Sequence, residues 1–146
     1  MRMFMRALPI KRGLLVLGLA LGLLGLVTAA CSKDVSELPV QLIDIESSGQ
    51  SGMGRLTTKG AQTEVSIRVN AGPGAADPQP VHIHYGTCGP GLGEVHFALM
   101  DVTGGESVTL VDVDLAVLSD GNHAINLHKS YPEIRIYTSC GDIPAR

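Results

Sequence analysis

All five histidines of this 146-residue chain fall after residue 80: His82, His84, His96, His123 and His128. His82 and His84 stand two apart in Pro80-Val81-His82-Ile83-His84-Tyr85. On an extended strand both imidazoles therefore leave one face, while Val81 and Ile83 point into the other. Neutral imidazole suits copper and zinc, and two rings on one face offer two nitrogens to one ion. One or two further ligands would complete such a site. His128 is the first candidate, because Ile125 and Leu127 take the core face of Ala124-Ile125-Asn126-Leu127-His128 and leave Ala124, Asn126 and His128 on the other. His96, in Glu94-Val95-His96-Phe97, lies one strand after the pair and offers a further nitrogen, with a half-exposed strand histidine as the competing reading. His123 reads as a solvated surface histidine. Met53 and Met100 are soft candidates for Cu(I), although strand methionines commonly serve packing.

These side chains must be positioned by strands. From Leu38 onward the chain reads as short alternating segments separated by Gly, Pro, Asn and Asp, with no sustained helical period. The expected strands run 40–46, 52–58, 63–70, 80–85, 94–101, 107–114, 122–129 and 133–139. Alternation is clearest at Val65, Ile67 and Val69 against Glu64, Ser66 and Arg68, the pattern of a sheet with one wet face. Lys59-Gly60-Ala61-Gln62 reads as a hairpin, 71–78 as a long Gly/Pro connection, and 115–121 as a single helical turn stopped by Gly121. The expected fold is all-β: an antiparallel Greek-key sandwich or barrel of about eight short strands, occupying residues 38–146.

The N-terminus carries an address. Arg2, Arg6, Lys11 and Arg12 precede an uncharged apolar run from Gly13 to Val27, followed by Thr28-Ala29-Ala30-Cys31. A positive segment, a short apolar segment and small residues in that order read as a secretory signal peptide over residues 1–30. A transmembrane anchor is the competing reading, since the run from Gly13 to Ala30 is just long enough. Cys31 resembles the lipid-modified cysteine of bacterial lipoproteins, with Thr28 where that signal usually has Leu. Lipidation there would hold the protein to a membrane by acyl chains, with residues 31–37 as a polar tether, so the expected location is the cell envelope on the periplasmic or extracellular face. The 116 residues from Cys31 onward carry 7 basic and 14 acidic side chains, a net charge of −7. That balance argues against nucleic acid and anionic lipid surfaces as partners. The same stretch has no Trp and only Tyr85, Phe97, Tyr131 and Tyr137 as aromatics, so its core rests on Val, Ile and Leu.

With Cys31 assigned to the terminus, Cys88 and Cys140 remain as a pair. Either they bridge, as an exported protein favours, or they are two free buried thiols. A bridge would close a loop of about 50 residues, worth roughly 4 kcal/mol of unfolded-chain entropy.

Taken in order, these segments resemble the copper/zinc superoxide dismutases. Gln79-Pro80-Val81-His82-Ile83-His84-Tyr85-Gly86-Thr87-Cys88 is similar to the stretch of that family in which a copper-binding histidine pair precedes a glycine and the disulfide cysteine. Ala124-Ile125-Asn126-Leu127-His128-Lys129 is similar to its strand ending in the last copper histidine, and Ser139-Cys140-Gly141-Asp142-Ile143 to its second cysteine. The resemblance spans about residues 38–143. It implies that His82, His84 and His128 ligate copper, that Cys88 and Cys140 form the structural disulfide, and that His96 falls near the family's bridging histidine. The chain also resembles the extracellular modules called CHRD domains, which share both histidine strands and have no established chemistry.

Departures from the dismutase pattern bear on activity. The long loop that carries the family's zinc ligands is replaced by the short turn Gly86 to Gly93, so no zinc subsite of that kind is expected. The position of the anion-attracting arginine is Tyr137, and Arg135, of the same strand parity, is the expected substitute. Dismutation would use His96 as a displaceable fourth nitrogen delivering a proton, Arg135 to draw in superoxide, and copper held by the other three histidines. The expectation is thus an exported, lipid-anchored copper protein with superoxide as substrate if it is an enzyme. A copper-holding or delivery protein without turnover and a metal-free CHRD-like envelope module are the alternatives.

Overall fold

The computed structural model describes residues 36–146, so the signal segment, Cys31 and most of the tether lie outside the described residues. Eight strands follow: β1 (Glu37–Asp44), β2 (Gly52–Lys59), β3 (Gln62–Val69), β4 (Val81–Tyr85), β5 (Val95–Ala98), β6 (Glu106–Val111), β7 (His123–His128) and β8 (Tyr137–Asp142), with one helical turn, α1 (Leu115–Leu118), between β6 and β7. Every pairing is antiparallel, in the sheet order β5-β4-β7-β8-β1-β2-β3-β6. The sheet curls until its two edges meet. The Thr109 hydroxyl accepts from the Met100 N–H at 2.8 Å, and the Ser107 hydroxyl donates to the Met100 carbonyl at 2.5 Å. With β5 and β6 brought together there, β7-β4-β5-β6 has the order of a Greek key and the sheet is a nearly closed barrel, in line with the expected sandwich or barrel.

Strand alternation fills its interior. Leu38, Val40 and Leu42 on β1, Leu56 on β2, Val65 and Ile67 on β3, Val81 and Ile83 on β4, and Ile125 and Leu127 on β7 form one buried aliphatic core. Among the described residues Phe97 is the one aromatic ring packed against it, which agrees with a core built from branched aliphatics. Helix α1 closes one end, capped by the Asp114 carboxylate accepting from the Ala116 N–H at 2.8 Å, with Leu115 and Leu118 buried. Gly121 follows at φ +81°, a backbone conformation that L side chains rarely adopt.

Two expectations are corrected. The last strand begins at Tyr137 and not at Glu133, because residues 130–136 form a turn around Pro132. Ser130 Oγ accepts from the Glu133 N–H at 3.1 Å, and the Lys129 ammonium pairs with Glu133 at 2.8 Å. Arg135 lies in that turn, exposed, so it has no strand parity with Tyr137. In strand β7 all six residues are buried. Strands β4 and β8 flank it, and on the face turned away from the core the turn carbonyls of Gly93 and Ile134 accept from the His84 and His128 rings.

Candidate metal centre

His82, His84 and His128 converge. The unbroken β4–β7 register pairs Val81 with Leu127 and His82 with Asn126, so alternation sends the three imidazoles to the face opposite Ile83 and Ile125. Ring centroids lie 4.7 Å apart for His82 and His128, 5.7 Å for His84 and His128, and 5.8 Å for His82 and His84. One nitrogen from each ring lies within 4.8 Å of the other two. Three nitrogens bound at about 2.0–2.1 Å to one ion lie about 3.3–3.6 Å apart in tetrahedral or trigonal geometry. No pair therefore needs to close by more than about 1.5 Å to share an ion.

Two of the three rings are oriented by the backbone. The His84 Nδ1–H donates to the Gly93 carbonyl at 2.9 Å, which leaves Nε2 as the lone-pair nitrogen. The His128 Nδ1–H donates to the Ile134 carbonyl, which leaves its Nε2 as an acceptor. That Nε2 lies 2.9 Å from His82 Nδ1. Once the His82 proton moves from Nδ1, where it bonds His128 Nε2, to Nε2, the donor set is one Nδ1 and two Nε2 atoms, and the outer hydrogen bonds of His84 and His128 are of the kind that fix tautomer and orientation in metal sites.

Both orienting carbonyls come from turns. Gly86 stands at φ +84°, and a Cβ there would lie 2.0 Å from the Gly91 carbonyl oxygen, so only glycine admits the tight return that presents Gly93. The turn from Lys129 to Ile136, closed by the Lys129 N–H donating to the Ile136 carbonyl at 2.8 Å, presents Ile134. Beneath His128, Gln50 and Gln79 form a reciprocal amide pair, and Gln79 Nε2 donates to the His128 carbonyl at 2.8 Å.

The electrostatics favour neutral rings. Burial, against the opposing Ile134 hydrogen bond and with smaller help from the nearby His82 and His84 rings, depresses the pKa of His128 to about 4. His82 is lowered by burial and by His84, with Asp101 opposing. Both are ligand-competent without losing a proton near neutrality. His84 Nε2 is the decisive atom: it is buried and has no hydrogen-bond partner. A buried acceptor left unpaired costs about 1–3 kcal/mol, which a metal ion at that point would offset. Asn126, directly opposite His82, is likewise fully buried with neither amide atom partnered. These residues fit a metal ion.

Two nominated residues stand elsewhere. His96 is not part of the cluster: its Nδ1 lies 2.9 Å from His123 Nε2, and its ring stacks on Tyr85 at 4.1 Å. Tyr85 and His123 are register partners one residue beyond His84 and Ala124, so they leave the opposite face of the β4–β7 pair. Arg135 lies in the exposed turn that carries Ile134. His123, expected at the surface, is 2% exposed, with its Nδ1–H donating to Asp120 at 2.9 Å. The i to i+3 spacing of Asp120 and His123 was the available sequence signal. Nothing in sequence marked Gly93, Ile134 or Gln79, which act on the histidines through backbone atoms and an amide. Met53 and Met100 are exposed, at 38% and 64%.

Cys88 and Cys140 form a disulfide, with Cα atoms 5.9 Å apart. It ties the turn after the histidine pair to β8, and the Cys88 N–H also donates to the Asp142 carboxylate at 2.7 Å. Among the described residues no helix is long and apolar enough to cross a membrane. Family models, curated proteins and solved structures give no match to this chain.

Proposed function

We propose that this is an exported, lipid-anchored copper-binding protein that holds one copper ion through His82 Nδ1, His84 Nε2 and His128 Nε2 without efficient turnover. The observation that carries the reading is the buried, unpartnered His84 Nε2 at the meeting point of two other imidazoles. Three neutral nitrogens suit both Cu(I) and Cu(II), and a bound copper would supply a one-electron couple. Export and anchoring are supported by the order of the N-terminal segments and by a disulfide, which persists in oxidising compartments.

Holding, rather than dismutation, is favoured by what the site lacks nearby. His96 is engaged with His123 on the other face of the sheet, so it offers no displaceable nitrogen that could carry a proton. Arg135 is exposed in a turn, and a net charge of −7 opposes the approach of an anion such as superoxide. The remaining chain does what a holding site requires: Gly93 and Ile134 lock two tautomers, and burial of His84 and His128 excludes water.

Copper loading with metal analysis, and superoxide decay measured on the same samples, tests this. One equivalent of copper in the wild type, lost in His84→Ala, with superoxide decay no faster than in buffer containing the apoprotein, is the expected result. Copper with rapid decay would restore the dismutase reading. No copper at all would leave the CHRD-like envelope module.

A further inference from the structure

A second pair of ring nitrogens repeats the geometry of the first. His96 Nδ1 and His123 Nε2 lie 2.9 Å apart, the same Nδ1-to-Nε2 separation as His82 and His128. The two pairs occupy opposite faces of the β4–β7 ladder and draw on different side chains.

We propose that His96 and His123 form a second metal site, which takes a divalent ion of the zinc class through His96 Nδ1 and His123 Nε2 and completes its coordination with water. Four features prepare it. The Asp120 carboxylate accepts the His123 Nδ1–H at 2.9 Å, which fixes the tautomer and turns the Nε2 lone pair toward His96. Asp120 is itself held by the Asn122 N–H at 2.7 Å. Tyr85 stacks on His96 at 4.1 Å and lies 5.2 Å from His123, so both rings are packed in place. His123 is buried while His96 is half-exposed, which leaves an open side for water ligands and for entry of the ion. To accept the ion, His96 moves its proton from Nδ1 to Nε2, an exchange that an accessible imidazole makes through solvent.

This site does not depend on copper at the first one. Zinc sulfate titrated calorimetrically into the full chain should give one more equivalent for the wild type than for His96→Ala. In a His82→Ala/His128→Ala background one equivalent should persist, and adding His96→Ala should remove it. Asp120→Asn should weaken that binding about 10- to 100-fold, as loss of a carboxylate behind a ligating histidine does. The half-exposed His96 is chosen so that folding survives; if the double background unfolds, the stoichiometry difference between wild type and His96→Ala decides. Equal stoichiometry in wild type and His96→Ala, or no zinc uptake in a folded His82→Ala/His128→Ala protein, overturns the proposal.

Discussion

His128 Nε2 lies 2.9 Å from His82 Nδ1 across 46 residues of chain, and the contact exists because β4 and β7 are register partners inside the barrel. Neither strand touches the other's ring through local sequence. The His128 ring is aimed by Ile134, the His84 ring by Gly93, and both carbonyls belong to turns that the strands themselves terminate.

Metal should stabilise the fold through this contact. Copper at about 100 times its dissociation constant contributes about 2.7 kcal/mol, or roughly 10 °C in Tm for a domain of this size. His84→Ala should abolish the shift. A thermal scan in which His84→Ala gains as much from copper as the wild type would place the ion elsewhere.

Acid should weaken the metal-free protein before its carboxylates titrate. His128 titrates near 4 when folded and near 6.5 when unfolded, so the unfolded chain binds more protons between those values. Stability is therefore full above about pH 6.5 and falls as pH drops toward 4, by roughly 2–3 kcal/mol, with the lowered His82 adding in the same direction. Urea midpoints of the apoprotein across this range check it. In His128→Gln the loss over the same window should be visibly smaller.

The disulfide closes a loop with a sequence separation of 52 residues. Replacing both cysteines by serine should cost about 4 kcal/mol in denaturant unfolding. Thiol titration of the denatured, unreduced protein should find neither Cys88 nor Cys140 reactive.

Gly86→Ala should damage fold and site together. At φ +84° and with the Gly91 carbonyl 2.0 Å from the new Cβ, the turn must shift. A loss of about 2 kcal/mol is expected, together with weaker copper binding, because the Gly93 carbonyl that orients His84 moves with it. Copper affinity unchanged in a destabilised Gly86→Ala protein would show that His84 needs no such support.

Much of the architecture was legible along the chain. Alternation at Val65 and Ile67, the hairpin at Gly60, the helical turn before Gly121 and the pairing of His82 with His84 are local properties, since strand geometry sends residues i and i+2 to one face wherever the strand sits. His128 was legible for the same reason, through its parity with Asn126 and opposite Leu127. Parity says which face a residue leaves and nothing about what covers that face or which strand lies beside it. His96 and His123 therefore could not be placed from sequence. Whether they met the copper candidates or each other depended on the β4–β5 bulge between Ile83 and His84 and on the register of Tyr85 with His123. The turn at residues 130–136 was hidden too, because a proline and a Ser-to-Glu cap override the β-branched residues that suggested a strand. The sequence by itself determined the strands, their faces and the residue types that could bind a metal. Only the tertiary structure decided which nitrogens meet, because that depends on register and loop closure between segments far apart in the chain.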